Sequence, residues 1–87
     1  MATVFIPSLM RNLTGGQDKV SVPGSNVRQV VENLSKTYPT VKDRLVSNNK
    51  IRRGIAVAVD GQVTPLGLLE KVQESSEIHF LTSVSGG

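Results

Sequence analysis

The residues with the clearest chemical potential stand at the end of the printed sequence, Val84-Ser85-Gly86-Gly87. Glycine has no Cβ, so two successive glycines can enter a channel that is too narrow for other residues. An extended chain gains about 3.3 Å per residue, and a tail of this length therefore reaches roughly 13 Å. We expect a flexible Gly-Gly tail at residues 84–87 that carries the Gly87 carboxylate into the active site of another protein.

A free carboxylate needs activation before it can react with a nucleophile. Its reference pKa of about 3.5 leaves it ionised at neutral pH, and the ionised form is a poor electrophile. Transfer of adenylate from ATP would supply the missing leaving group. Terminal glycines also occur in ordinary disordered tails, so the significance of this pair depends on the fold that precedes it.

Few other side chains offer catalytic chemistry. The sequence has no cysteine, which excludes a thiol nucleophile, a disulfide framework and a thiolate metal site. Its single histidine, His79, has no second histidine or cysteine to complete a metal site, and a contact role fits it better. No serine lies in a Gly-x-Ser-x-Gly motif. We expect a protein on which enzymes act, with no bound cofactor and no metal.

Length and composition indicate one small soluble domain. A chain of 87 residues buries a single modest core, and 38% hydrophobic residues are typical of globular proteins. No apolar run approaches the roughly 20 residues that span a bilayer. The N-terminus lacks the pattern of an export signal, so we expect a cytoplasmic protein without a membrane partner.

The basic residues are concentrated in one region. The net charge is +3, and five of the ten basic residues fall between Lys42 and Arg53. Nucleic-acid binding surfaces of this kind interleave aromatic side chains, but the only aromatic residues are Phe5, Tyr38 and Phe80. We therefore expect no nucleic-acid partner, and interpret the region as a solvated face or as a surface that steers an acidic protein.

The first half of the chain predicts two strands and a helix. Apolar residues alternate in TVFIP and in KVSV, and a Gly15-Gly16 turn lies in the irregular link between them. From Val27 onward the period changes to 3.6, which predicts a helix that Ser25 caps and that ends before Pro39. The helix carries one narrow apolar stripe: Val27, Val30, Val31, Leu34 and Tyr38.

The second half predicts short elements between two further strands. A helical turn from Thr40 directs Val41 and Leu45 inward, and SNNK follows as a polar loop. IAVAV is the most regular strand and ends in an Asp60-Gly61 turn. EIHFLTSV forms the last strand. Between them, LGLLEKV predicts a helical turn that buries three residues: Leu66, Leu69 and Val72.

This order of elements predicts an α+β fold of the β-grasp (ubiquitin-like) type over residues 1–83. A mixed four- to five-stranded sheet packs on one main helix. The first and last strands are adjacent and parallel, because a right-handed crossover separates them. The inward face of the sheet is predicted to hold Val4, Ile6, Val20, Val22, Val57, Val59, Ile78 and Phe80.

With these elements placed, the whole chain resembles the ubiquitin-like sulfur carriers of the MoaD/ThiS family. The matching stretches are VFIPSLMRNLTGGQ, LSKTYP, IRRGIAVAVDGQ and EIHFLTSVSGG. The first and third are most similar to the carriers for cysteine biosynthesis. Two turns depart from the family pattern. Glu74-Ser75-Ser76 replaces an Asp-Gly-Asp turn, where a positive φ at Ser75 would cost about 1 kcal/mol, and Asp60-Gly61 stands where asparagine-glycine is frequent.

The resemblance implies a mechanism. An E1-like adenylating enzyme activates the Gly87 carboxylate with ATP, sulfur replaces the adenylate to give a thiocarboxylate, and a second enzyme accepts the sulfur for biosynthesis. Cysteine synthesis is favoured, followed by molybdopterin or thiamine. We expect a carrier that is monomeric when free. Partners are predicted to dock on the outward face of the sheet, at Phe5, Ala56, Ala58, His79 and Leu81.

Two other functions remain open from the sequence. The chain could be a ubiquitin-like modifier that is conjugated to proteins through Gly87. It could also be a non-catalytic β-grasp interaction module with an incidental tail. A residue added after Gly87 would disable a carrier and leave an interaction module intact.

Overall fold

The computed structural model describes residues 1–82, so the predicted tail at residues 84–87 lies outside the described residues. Seven strands, two α-helices and two 3₁₀-helices (η1 and η2) make up this part of the chain. In chain order they are β1 (Ala2–Phe5), η1 (Ser8–Thr14), β2 (Lys19–Val22), α1 (Val27–Thr37), α2 (Pro39–Leu45), β3 (Val46–Ser47), β4 (Lys50–Ile51), β5 (Ile55–Val59), β6 (Gln62–Thr64), η2 (Gly67–Leu69) and β7 (Glu77–Thr82).

The main sheet has five strands in the order β2-β1-β7-β5-β6. The first and last strands, β1 and β7, are adjacent and parallel, and the other neighbours are antiparallel. This confirms the predicted mixed sheet and its crossover. Because β7 is the middle strand, the chain leaves the described structure at Thr82 from the centre of the sheet.

The core lies between the sheet and the two α-helices. The α1 stripe is buried as predicted at Val27, Val30, Val31 and Leu34, and Tyr38 packs against it in part. On the inward face of the sheet, Val20 and Val59 are half-buried. The other six predicted residues are fully buried: Val4, Ile6, Val22, Val57, Ile78 and Phe80.

Leu45 provides a direct test of this core, because its side chain is 0% exposed at the end of α2. Truncation to alanine would remove buried methyl groups and leave a cavity that the packed neighbours fill only in part. We expect Leu45→Ala to lower the free energy of unfolding by about 3 kcal/mol in urea denaturation. Leu69→Ala, at a 70% exposed position, should change it by no more than about 0.5 kcal/mol.

The cap of α1 lies one residue later than predicted. Asn26, with an extended backbone, is the N-cap, and its Oδ1 accepts a 2.8 Å hydrogen bond from the Gln29 backbone N–H. Gln29 Oε1 in turn accepts a 2.8 Å bond from the Ser25 N–H. Serine and asparagine cap helices about equally well, so residue type could not decide between adjacent positions.

The prediction that Leu66 and Leu69 are buried is wrong. They are 54% and 70% exposed, and Leu68 is buried in their place; the predicted burial of Val72 is confirmed. The segment forms a three-residue 3₁₀-helix in which Gly67 has a φ of 55°, so an α-helical period does not apply. A single short turn presents one side chain to the core, and here that side chain is Leu68.

Two segments that were predicted as irregular carry structure. Asn48 and Asn49, with φ values of 54° and 61°, form the two-residue turn of the β3–β4 hairpin. Consecutive positive φ values are typical of a type I′ turn, which asparagine tolerates. The link before β2 contains η1, which buries Met10 and Thr14. The Thr14 hydroxyl bonds the Arg11 and Gln17 carbonyl oxygens at 3.1 and 2.8 Å.

The turn before β7 is held by Asp60 and Ser76. Ser76 is buried, donates a 2.8 Å bond to Asp60 Oδ2 and accepts a 2.9 Å bond from the Gln73 N–H. Asp60 Oδ1 accepts a 2.9 Å bond from the Glu77 N–H. Ser75 does not have a positive φ, so the cost of that conformation does not arise there; Asp60 has a positive φ, of 52°. The strained residue is therefore also the residue whose carboxylate joins β5 to β7.

These hydrogen bonds make the free energy of unfolding depend on pH. The Glu77 N–H, and then the Ser76 hydroxyl, hold the pKa of the Asp60 carboxyl below its ordinary value. The pKa of the Asp60 carboxyl is therefore higher in the unfolded chain than in the folded protein. The stabilising contribution of the ionised carboxylate is complete above about pH 4 and is lost as pH falls through the lower folded pKa. We expect Asp60→Asn, which keeps an acceptor for Glu77, to lose less unfolding free energy between about pH 6 and about pH 3 than the parent. Equal losses in the two proteins, measured by urea denaturation, would contradict this assignment.

Candidate functional site

The predicted docking residues come together on the outward face of the sheet, on the side away from α1. In the strand register, Phe5 of β1 pairs with His79 of β7, which pairs with Ala58 of β5. Leu81 pairs with Ala56 in the next row toward the end of β7. Alternation alone places all five residues on this face, because successive strand residues point to opposite sides.

Phe5 and His79 form the centre of the outward face. Their ring centroids are 4.1 Å apart and their planes differ by 7°, so the two rings stack in parallel. Both side chains remain partly exposed. One face of each ring covers the other ring, so the pair acts as a single stacked unit on this face of the sheet, and aromatic side chains are common at protein interfaces.

The two alanines differ in what a partner could touch. Ala58 is 6% exposed and forms the floor of the surface between His79 and Val63. Ala56 is half-buried beside Leu81, which is 46% exposed. Because alanine side chains are short, the surface is lower at Ala56 and Ala58 than at Leu81. A partner would therefore meet Leu81 as a projecting side chain.

Val63 and Arg11 belong to this surface but were missed from the sequence. Val63, 62% exposed, pairs with Ala58 and extends the apolar row to the edge strand β6. The sequence does contain a signal for Val63. Residues equidistant from a two-residue turn face each other, and Val63 and Ala58 are equidistant from the Asp60-Gly61 turn. Arg11 lines a concavity of about 230 Å³ with Phe5, His79 and Leu81, and its Nε donates a 3.4 Å bond to the Ile6 carbonyl. No local sequence signal marks Arg11, because η1 brings it there.

Charged residues stand around this apolar centre. Lys19 pairs with Phe5 at the β2 edge, Glu77 begins β7, and Arg11 and Asp18 line the concavity beside Leu81. An apolar centre with a polar rim is the usual composition of a protein interface. The composition of this face is therefore suitable for docking, and docking itself stays a prediction.

The tail residues Val84, Ser85, Gly86 and Gly87 lie outside the described residues, and their assigned roles stay predictions. Thr82, the last described residue, follows directly after Leu81 in β7. Within residues 1–82, no group of three or more histidine, aspartate or glutamate side chains is placed to hold a metal ion. In the same range, none of the helices has the length and apolar character to cross a membrane.

The mixed sheet, the crossing helix and the central last strand define a ubiquitin-like β-grasp protein. The chain belongs to the ThiS family, whose sequence profile matches residues 4–87. It is 30% identical to the sulfur carrier protein CysO of Mycobacterium tuberculosis, an alignment that covers 98% of this chain and 97% of that protein. These matches confirm the family resemblance predicted from the sequence.

Solved structures agree with this assignment. The crystal structure of the Amycolatopsis orientalis BexX/CysO complex contains a chain with a TM-score of 0.93 and 30% identity, with full coverage of both chains. Mycobacterium tuberculosis CysO gives a TM-score of 0.89 and 28% identity over 97% of this chain and 100% of that one. Small archaeal modifier protein 1 from Methanosarcina acetivorans, at 23% identity and a TM-score of 0.84, covers 99% of this chain and 95% of its own, and shows the shared fold alone.

Proposed function

We propose that this protein is a sulfur carrier whose Gly87 carboxylate is converted to a thiocarboxylate. The observation that supports the proposal most strongly is the ThiS match, which extends through Gly87. Similarity to a sulfur carrier protein over nearly the whole chain supports it further. In this proposal the chain supplies recognition and the reacting carboxylate, and it supplies no catalytic side chain.

The chemistry proceeds in two balanced steps. In the first, a carboxylate oxygen of Gly87 attacks the α-phosphorus of ATP, pyrophosphate leaves, and an acyl-adenylate forms. In the second, hydrosulfide from a sulfide source attacks the acyl carbon, the bond from that carbon to the adenylate oxygen breaks, and AMP leaves. The proton of the hydrosulfide passes to water, and the product carries one sulfur where the carboxylate had one oxygen. ATP is a substrate of the E1-like enzyme and not a cofactor of the carrier.

The outward face of the sheet is the proposed docking surface for both the activating and the accepting enzyme. Its apolar centre at Phe5, His79 and Leu81 ends one residue before the last described position, so a bound enzyme would contact the origin of the tail directly. The BexX/CysO complex contains a carrier bound to another protein. A shared surface requires the two enzymes to bind in turn. A second copy of the chain on this surface would block both enzymes, so we propose that the free carrier is monomeric.

We assign the carried sulfur to cysteine synthesis, ahead of molybdopterin or thiamine. The similarity to CysO, at 30% identity, supports this order. We propose a cytoplasmic location as well, because ATP and the activating enzyme that this chemistry requires would be available there.

The experiment that tests the proposal is conversion followed by intact mass. The full chain is incubated with ATP, the activating enzyme encoded in the same organism and a sulfide source, and the product is analysed by mass spectrometry. We expect the exchange of one oxygen for one sulfur, dependent on ATP, with fragment ions that locate the sulfur at Gly87. An unchanged mass, with an enzyme that forms pyrophosphate from ATP in the presence of the carrier, would refute the thiocarboxylate step and leave adenylation standing.

A further inference from the structure

A second exposed apolar surface lies away from the outward face, where η2 packs against β4 and α1. It is an open groove of about 410 Å³. Leu66 and Leu69, on its wall, are 54% and 70% exposed. Hydration of two neighbouring leucine side chains is unfavourable in free energy, and burial in an interface would remove that cost. Contiguous apolar surface of this kind marks binding sites.

The two leucines are held in place by the backbone around them. Leu66 N–H donates a 3.0 Å bond to Thr64 Oγ1, and Leu69 N–H donates a 3.0 Å bond to the Leu66 carbonyl. Gly67 lies beside Ile51 of β4, where an added Cβ would be in van der Waals contact with Ile51 Cγ1 at 3.4 Å. A surface with a fixed shape loses little conformational entropy when it binds.

Positive charge surrounds this groove. Arg28 and Lys50 line it together with the leucines. A second groove of about 560 Å³ shares Lys50 and Ile51 with the first and adds Arg52 and Arg53. The Arg52 Nε donates a 3.0 Å bond to the Asp43 carbonyl, which fixes its direction. No aspartate or glutamate is among the described residues that line the two grooves.

We propose that these joined grooves bind an acidic, amphipathic segment of a partner protein. Its aliphatic side chains would cover Leu66 and Leu69, and its carboxylates would face Arg28, Lys50 and the two arginines beyond them. A nucleic acid fits less well, because it would leave the leucines uncovered and none of the lining residues is aromatic. The grooves share no lining residue with the concavity beside Leu81. A segment bound in the grooves would therefore leave the residues that line that concavity uncovered.

The test is an NMR titration of the ¹⁵N-labelled full chain with three synthetic peptides of about 15 residues, long enough for about four helical turns. The first has a leucine face and a glutamate face, the second has lysine in place of glutamate, and the third has the composition of the first in scrambled order. We expect only the first to give saturable shifts, centred on the amides of Lys50, Ile51, Leu66 and Leu69. Leu69→Ser and Lys50→Glu should each weaken its binding about fivefold to tenfold. Leu81→Ser, on the outward face, should not.

Three results would overturn the proposal. The first is an absence of saturable shifts with the acidic peptide, or equal shifts with the scrambled one. The second is a set of shifts centred on Leu81 and Ala56, which would place binding on the outward face. The third comes from a parallel titration with single-stranded RNA: if the RNA bound more tightly and its affinity fell with Lys50→Glu but not with Leu69→Ser, the grooves would be a nucleic-acid surface. The spectra also report whether each exposed-site variant is folded.

Discussion

A single alanine appended after Gly87 is expected to reduce sulfur loading by about 100-fold or more. The appended residue converts the Gly87 carboxylate into an amide and moves the free carboxylate about 3.3 Å further along the chain. A displacement of even about 1 Å from the reactive geometry can cost two orders of magnitude in rate. The added Cβ would also have to enter a channel that two glycines are suited to pass. The measurement is the initial rate of conversion by intact mass, with ATP and the activating enzyme in excess.

The same spectra provide the controls. They show whether the alanine is still present, so removal by a protease cannot be mistaken for tolerance. Urea denaturation should give the parent stability, because β7 ends at Thr82, well before the appended residue. Loading of the retained, extended chain at the parental rate would contradict the role assigned to Gly87. Branched peptides that join Gly87 to lysine side chains in cells would instead support the alternative of a protein modifier.

Replacement of Leu81 by glutamate is the second change for which we expect a large effect. Leu81 is 46% exposed beside the stacked Phe5–His79 pair, and in a docked complex it would be desolvated. A carboxylate at this position would lose its hydration on docking, a cost of several kcal/mol that a buried ion pair with the neighbouring Arg11 typically does not repay. We expect kcat/KM for loading to fall about 100-fold, mainly through a higher KM, because docking stabilises ground state and transition state alike. Steady-state pyrophosphate release provides the measurement.

Thr40→Glu is the matched control for this variant. It introduces the same charge at an exposed position in the first turn of α2, outside the outward face, and a negative charge is favourable there. We expect both variants to keep the parental unfolding free energy within about 0.5 kcal/mol. If the two lost activity equally, net charge would be responsible. If neither lost activity, the enzyme would dock elsewhere.

Much of the fold could be predicted because its signals are periodic. Val4 and Ile6 alternate, Val27 to Leu34 follow the helical period, and burial of one face is the only arrangement that satisfies both patterns. Elements whose sequence has no regular apolar period were harder to predict. Leu66 and Leu69 were expected inside, and the outcome depended on how η2 meets β4, which is a tertiary contact. Ser25 and Asn26 are adjacent and cap helices about equally well, so the sequence could not decide at which of them the helix begins.

The candidate site divides in the same way. Strand alternation was enough to group Phe5, His79 and Leu81 on one face. The stacking distance between Phe5 and His79, and the near-complete burial of Ala58, depend on the register of β1, β7 and β5 and could not be derived from spacing. Arg11 joins the surface only because η1 follows directly after β1 and places Arg11 in one concavity with Phe5 and Leu81.

The central position of β7 has a mechanical consequence. A partner enzyme that draws the chain beyond Thr82 into its active site pulls on a strand that is bonded to β1 on one side and to β5 on the other. When the pull is directed along the strand, both ladders resist together in shear, and neither opens one bond at a time. A carrier under such a load would stay folded while its end is held.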